Sequence, residues 1–471
     1  MEKTERKNKM TGTKALIIML ASAATIFLGA LLVKSPTVVN LIVAGLVAMT
    51  LSMIWGVKWD DIQNDILDLA RRMFTAILVL IFVGMLIGVW IASGTVPILI
   101  YWGLEILTPK FFLIVVCLTC SLMSLMTGTS WGTVGTIGIA FMGIAQGLGV
   151  PESYTAGAVL VGALFGDKLS PMSDTTVLAP AVSGTDVMSH VKYMLWTTVP
   201  SYLISLIFFF VVGLQFDHGS VETEEYEQIL ISLQENFNLN PILILPPIIV
   251  LFLIFKQKPI VPSFAVGIVL GIIFAMIFQN YSLVDILTAC NSGYTRTTEI
   301  EVVDTMLCRG GISSMLSSVA IVIAAAIFGA PLKTSGTIDF AVEKIMKVAK
   351  TQRSVLLCSY FFHMFLILTI GGYYTTFSMA GPVLQPLYEK YGLDKVNLSR
   401  CLEDTGTTFS PLVPWCSNGV YFTSTLNVPY SAYALTTPMC WLCVVFAMIY
   451  IITGFKIKQA PKKEDGEAAT A

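Results

Sequence analysis

Apolar runs approaching 20 residues recur along the whole chain, as in "ALIIMLASAATIFLGALLV", "NLIVAGLVAMTLSMIW" and "SYLISLIFFFVVGL". About 20 such residues make a helix that crosses about 30 Å of hydrocarbon. This pattern leaves few folds open. In lipid, every backbone N–H and C=O must find its partner inside the protein, so only helices and closed barrels span. Long runs without alternation are helices. Only 12% of the 471 residues are charged and 55% are hydrophobic, against about 25% charged in soluble domains. The sequence predicts an all-α polytopic membrane protein whose first partner is the lipid bilayer. The net charge of -2 says nothing about partners; its placement says more, and no nucleic-acid partner is expected. The polar, basic start, "MEKTERKNKMTGTK", precedes an apolar run without a small-residue cleavage site, so the first span is read as retained.

Full spans are expected at 15–33, 38–56, 73–92, 153–184, 193–214, 241–255, 261–279, 311–330, 394–428 and 431–455. Two longer stretches, 111–148 and 353–388, have Gly- and Thr-rich middles and read as re-entrant hairpins, each entering and leaving on one face. With both termini cytoplasmic, twenty-two of the 28 Lys and Arg fall inside and only Lys34, Lys110, Arg296 and Arg309 outside, as the positive-inside rule requires. Five regions follow. Residues 1–72 hold an N-tail, two extra spans and a linker. Residues 73–214 form a first repeat and 215–310 an external acidic segment with two spans. Residues 311–455 form a second repeat and 456–471 a cytoplasmic tail. The amphipathic stretches 60–72 and 337–352 read as arms lying on the membrane surface. The nine Cys lie mostly in apolar spans and read as packing; Cys290 and Cys308 share one outside loop and are able to pair.

The chain resembles itself at a shift of about 240. Ser93-Gly94-Thr95 falls on Ser335-Gly336-Thr337, "MTGTSWGT" near "TIGGYYTT", and "FGDKLSPMS" on "TGTTFSPLV". The two halves start on opposite faces. The expected architecture is therefore a pair of inverted structural repeats, each with one re-entrant hairpin and one broken transmembrane helix, the plan in which transporters bind cargo near the midplane.

"GDKLSPMSDTTVLAP", Gly166 to Pro180, then has a physical meaning. Pro171 removes a backbone donor and pushes Ser170 out of the helical region, and Gly166 loosens the turn before it. Gly406, Pro411 and Pro414 do the same in "EDTGTTFSPLVPW". Such breaks survive in a membrane only where they face protein or a wet cavity. They supply Asp167, Asp174, Ser170, Ser173 and Thr175 from one half, and Glu403, Asp404, Thr407 and Ser410 from the other. Carboxylates, hydroxyls and freed carbonyls are ligands for a hard cation such as Na⁺. The hairpin tips add Thr127, Gly128, Thr129, Ser130 and Thr133, and Gly371, Gly372, Thr375 and Thr376; glycine lets the backbone come close to an ion.

The stretch 127–180, "TGTSWGTVGTIGIAFMGIAQGLG" with "GDKLSPMSDTTVLAP", resembles the signature region of the NhaC-type Na⁺/H⁺ antiporters, and the resemblance runs through nearly the whole chain in span order. It implies a secondary active antiporter exchanging Na⁺ for H⁺ by alternating access in a bacterial plasma membrane, with no cofactor beyond the transported ions. The family includes members resembling a malate–proton/sodium–lactate exchanger, so the alternative is a coupled exchanger of small carboxylates with Lys168 or Arg400 as the anion's partner. The wider superfamily points to a homodimer through scaffold spans.

Plainer readings stand beside these. Asp167 with Lys168 makes an interfacial ion pair. Asp174 is a favoured N-cap for a half-helix starting at Thr175. Arg400, one turn before Glu403 and Asp404, makes a helix salt bridge. His363 on an apolar arm reads as a packed, hydrogen-bonded histidine, His190 as a loop residue and His218 as solvated. An intramembrane enzyme is disfavoured, because the chain has neither HExxH nor GxSxG. A passive channel does not need two broken spans in inverted repeats.

Overall fold

The structure is a computed structural model that describes residues 12–29, 33, 35–171, 173–216, 223–298 and 300–460. The basic residues Lys3 to Lys9, Lys34, His218, and Lys462 and Lys463 lie outside the described residues. The chain is helical throughout, with no strand among the described residues beyond an isolated bridge, Leu393 to Gln459. Seven helices are long and apolar enough to cross a membrane, or eight if the bent pair Glu227–Asn236 and Pro241–Phe255 is one span.

The scaffold centres on Trp59–Ala92, a single helix of 34 residues. At 1.5 Å per residue it is roughly 50 Å long. The surface arm expected at 60–72 is therefore the continuation of the span at 73–92. No Gly or Pro stands between Trp59 and Phe82 to end the helix. Its polar end is tied down: Lys333 pairs with Asp65 at 2.7 Å, and Thr334 donates to the same carboxylate at 2.6 Å. Its apolar end packs against Ile312–Thr334 and Ile260–Phe278. There Gly311 N–H donates to Gly84 O at 2.7 Å, and Trp90 Nε1 donates to Gly267 O at 3.1 Å.

Segments that the 240-residue shift aligns share local geometry. Gly94 and Gly336 both turn in the left-handed region, with φ of 82° and 75°. Ser93 and Thr95 hydroxyls meet at 2.9 Å, and those of Ser335 and Thr337 at 2.8 Å. Pro109–Thr127 ends at Gly128 (φ 69°), and the chain returns through Ser130–Thr133, a π turn at Val134–Gly138 and Ile139–Gly147. The rings of Phe112 and Phe141 meet edge to face on the way back. Gln352–Ile370 ends at Gly371 (φ 73°), and Tyr373–Lys390 returns alongside it. Gln352 Nε2 donates to Tyr391 O at 2.8 Å, closing the foot.

All nine cysteines are free thiols, Cys290 and Cys308 included. His190 is no loop residue. It sits in the first turn of Val187–Gly213, fully buried, its Nδ1 2.8 Å from the Ser399 hydroxyl, because Asp186 caps that helix through Ser189 N–H and starts it earlier than the apolar run does.

Candidate ion-binding site

Both expected breaks are present. Glu152–Leu169 stops as Ser170 takes an extended conformation (ψ 120°) ahead of Pro171, and Asp174–Ser183 begins four residues on. Carbonyls freed by the break are met by a hydroxyl: Thr176 Oγ1 lies 3.2 Å from both Asp167 O and Lys168 O. In the second half Val396–Glu403 widens into a π turn at Asp404–Thr408, tightens into a 3₁₀ turn at Ser410–Leu412 and resumes as Ser417–Leu426. Thr405 donates back to Cys401 O at 2.6 Å and Thr408 to Asp404 O at 2.8 Å. The density of threonine at these breaks thus has a structural use, since unmet backbone groups are costly in lipid.

Gly166 does something other than loosen a turn. It lies inside the helix, where an added Cβ would come within 2.3 Å of Ser121 O and 2.5 Å of Leu125 N. Gly162, four residues earlier, meets Cys117 O in the same way. The run "GALFG" is thus a small-xxx-small packing face that brings the backbones of Pro109–Thr127 and Glu152–Leu169 together, as in other membrane helix pairs. The Gly-xxx-Gly spacing at 162 and 166 is the sequence signal of that face.

The charged groups are partnered across the halves rather than along the helices. Lys168 Nζ pairs with Asp404, and neither side chain is exposed to solvent. Thr197 (3.1 Å) and Tyr360 (2.9 Å) also donate to the Asp404 carboxylate. The expected Arg400 bridge to Asp404 is not formed, because those oxygens are already taken. Arg400, fully buried, instead lies over the Tyr193 ring, 4.5 Å from its centroid. Nor do Asp167 and Lys168 form a pair of their own. Ser130 Oγ donates to Asp167 Oδ2 at 2.6 Å, while Oδ1 has no hydrogen-bond partner among the described residues. Asp174 receives Thr175 N–H at 2.8 Å and the Tyr374 hydroxyl. Glu403 is fully buried, and neither of its oxygens has a hydrogen-bond partner among the described residues.

A cavity of about 490 Å³ joins these parts. Thr127 to Trp131 of one tip and Gly372 to Thr375 of the other line it, together with Asp167 and Asp174. Arg72, Gln257 and Lys258, on segments expected to face the cytoplasm, complete its wall. Other candidates stand behind it. Ser173 and Thr175 are hydroxyl partners at 3.0 Å, Thr133 is bonded to Thr129 O, and Ser410 accepts from Asn418. Thr376 and Thr405 both meet His363, the packed, hydrogen-bonded histidine the sequence suggests. Glu403, Asp404, Thr407, Lys168 and Arg400 lie outside the cavity lining. Gly371 is spent on the fold: its carbonyl accepts Ser417 N–H at 2.8 Å.

Sequence reasoning did not name the residues that clasp each break to the opposite half. Tyr374, from the second tip, reaches Asp174 in the first break. Trp131, from the first tip, donates to Asn418 at 2.8 Å and stacks on Tyr421 at 4.4 Å, both in the helix that follows the second break. Tyr421 returns a hydrogen bond to Trp131 O at 2.7 Å.

A helical membrane chain with two interrupted helices, buried carboxylates at both and a cavity that reaches Asp167 at the first has the build of a secondary transporter. The chain belongs to the Na⁺/H⁺ antiporter family, which it matches over residues 7–178 and 162–455. It is 38% identical over 421 residues to the Malate-2H(+)/Na(+)-lactate antiporter of Bacillus subtilis (strain 168), covering 89% of each chain. It is 33% identical over 464 residues to the Na(+)/H(+) antiporter NhaC of Alkalihalophilus pseudofirmus, covering 97% of this chain and all of the other. The arginine/ornithine antiporter ArcD of Halobacterium salinarum is similar too, 32% identical over 403 residues, or 85% of this chain and 82% of that one.

Proposed function

We propose that this chain exchanges Na⁺ for H⁺ across a bacterial plasma membrane as a secondary active antiporter, with Asp167 as the carboxylate for which the two ions compete. One observation carries the assignment: Asp167 lies where the cavity meets both tips, one oxygen held by Ser130 and the other free of any hydrogen bond among the described residues. An ionised carboxylate there draws Na⁺, with Asp174 and the tip hydroxyls as further oxygen ligands. A proton on the same group removes the charge that holds the metal ion. The site turns over only when loaded, which suffices for antiport.

Alternating access follows from reading the halves as inverted repeats with re-entrant hairpins. The matched Ser-Gly-Thr turns, the left-handed Gly128 and Gly371, and the Ser-Pro breaks support that reading. It predicts opposite faces for the two hairpin feet. A single Cys at Lys110 is expected to react with impermeant thiol reagent from outside, and one at Arg353 only after permeabilisation. Reaction of both from one side would sink the inverted arrangement.

The decisive experiment is flux in proteoliposomes with a pH dye inside. An imposed Na⁺ gradient is expected to drive protons the other way, and Asp167→Asn to abolish both movements while the protein still inserts. Na⁺-driven proton movement through Asp167→Asn would overturn the assignment. A second reading, coupled exchange of a small carboxylate, is favoured by the size of the cavity, which lies in the range of small-molecule sites, and by Arg72 and Lys258 in its wall. Malate or lactate added to the same vesicles separates the two readings, since only the second has them change proton-coupled Na⁺ flux.

A further inference from the structure

We propose a second, occluded Na⁺ site inside this antiporter, held by Glu403 and Thr407 behind the cavity; the proposal rests on the antiport reading above. Glu403 closes the half-helix Val396–Glu403, is fully buried and does not line the cavity. Both of its oxygens, and the buried hydroxyl of Thr407 one turn on, lack hydrogen-bond partners among the described residues. Buried polar groups are almost always satisfied, and a buried carboxylate without donor or counter-charge is the costliest exception.

Neither nearby cation is in hydrogen-bond contact with the Glu403 carboxylate. Lys168, one of its polar neighbours, gives its ammonium to Asp404, and Arg400 lies on the Tyr193 ring with its Nε and Nη1 free of hydrogen-bond partners among the described residues. The neighbouring hydroxyls are Thr407 and Thr175, neither in hydrogen-bond geometry to the carboxylate. Three oxygen atoms without partners, two of them on a carboxylate, at the start of a π turn in a broken membrane helix make an oxygen-only donor set of the kind that takes Na⁺.

The repeat supplies an independent reason. At the shift of 240, Thr407 occupies the place of Asp167, so each half offers one oxygen group at the same step before its Ser-Pro break. Glu403 matches Ala163 and adds the charge that Thr407 lacks.

Equilibrium binding of radioactive Na⁺ to the purified full-length protein in nanodiscs, at alkaline pH, counts the sites. Two Na⁺ per chain are expected for the parent and one for Glu403→Gln. Thr407→Val, which keeps the side-chain shape, is expected to weaken one of the two by about tenfold, a ligand's worth of affinity. If Glu403→Gln fails to insert, Thr407→Val alone decides the matter. One Na⁺ per chain in the parent, lost in Asp167→Asn, removes the inner site and leaves the antiport reading standing. Two Na⁺ of unchanged affinity in both variants also remove it. Proton-coupled flux that survives Asp167→Asn removes the antiport reading on its own terms.

Discussion

Lys168→Met is expected to destabilise the protein by about 3–5 kcal/mol, the usual cost of stranding one member of a buried ion pair. Asp404 would keep Tyr360 and Thr197 as donors but lose the only cation in contact with it among the described residues. Methionine fills the space of the lysine stem, so the loss is electrostatic rather than a cavity. Thermal unfolding of the detergent-purified protein measures it. The double variant Lys168→Met/Asp404→Asn, with no charge left to strand, is expected to recover most of the stability, because a neutral, well-packed replacement for a buried pair is often no worse than the pair itself. Lys168→Met as stable as the parent would show that the pair does not hold the halves together. If the double variant is stable but does not transport, the pair acts in the cycle and not only in the fold.

Gly166→Ala is expected to reduce exchange by about a hundredfold, the scale seen when reacting groups shift by about 1 Å. The added methyl would press into the backbone at Ser121 O and Leu125 N, and backbone has no rotamer in which to yield. The helices must part, and Asp167, the next residue, moves with its helix away from Ser130, its hydrogen-bond donor just past the end of Pro109–Thr127. Overpacking of this kind also costs about 1–3 kcal/mol of stability. Gly372→Ala gives the steric comparison: its Cβ would meet nothing closer than 3.7 Å, so no overpacking cost to stability is expected there. Initial rates in vesicles at matched protein content compare the three. A parental rate for Gly166→Ala would show that the close approach does not position the site.

The elements that report themselves in sequence are local ones. Pro171 and Pro411 mark both breaks, because a missing N–H acts on its own turn whatever surrounds it. Gly128 and Gly371 mark both turns for a similar reason. Partnerships were legible only where they were local. Arg400 was matched to the acids one helical turn away, yet Asp404 is held by Lys168, 236 residues distant. No spacing rule reaches that far, and a buried acid goes to whichever donors the tertiary fold delivers. Gly166 was misread differently: the residue was singled out for its backbone freedom, whereas the fold uses its missing side chain. The helix at 60–72 shows a third limit. Amphipathicity says which face of a helix meets water but not whether the helix stops.

The exchange of partners between tips and breaks has a mechanical consequence. Tyr374 holds the far side's Asp174, and Trp131 holds the far side's Asn418 and Tyr421. A tug on either loop is therefore handed to the other half of the molecule, as in two links of a chain. Each break is thereby tied to the opposite tip through aromatic, amide and carboxylate groups, so neither tip is anchored by its own half alone.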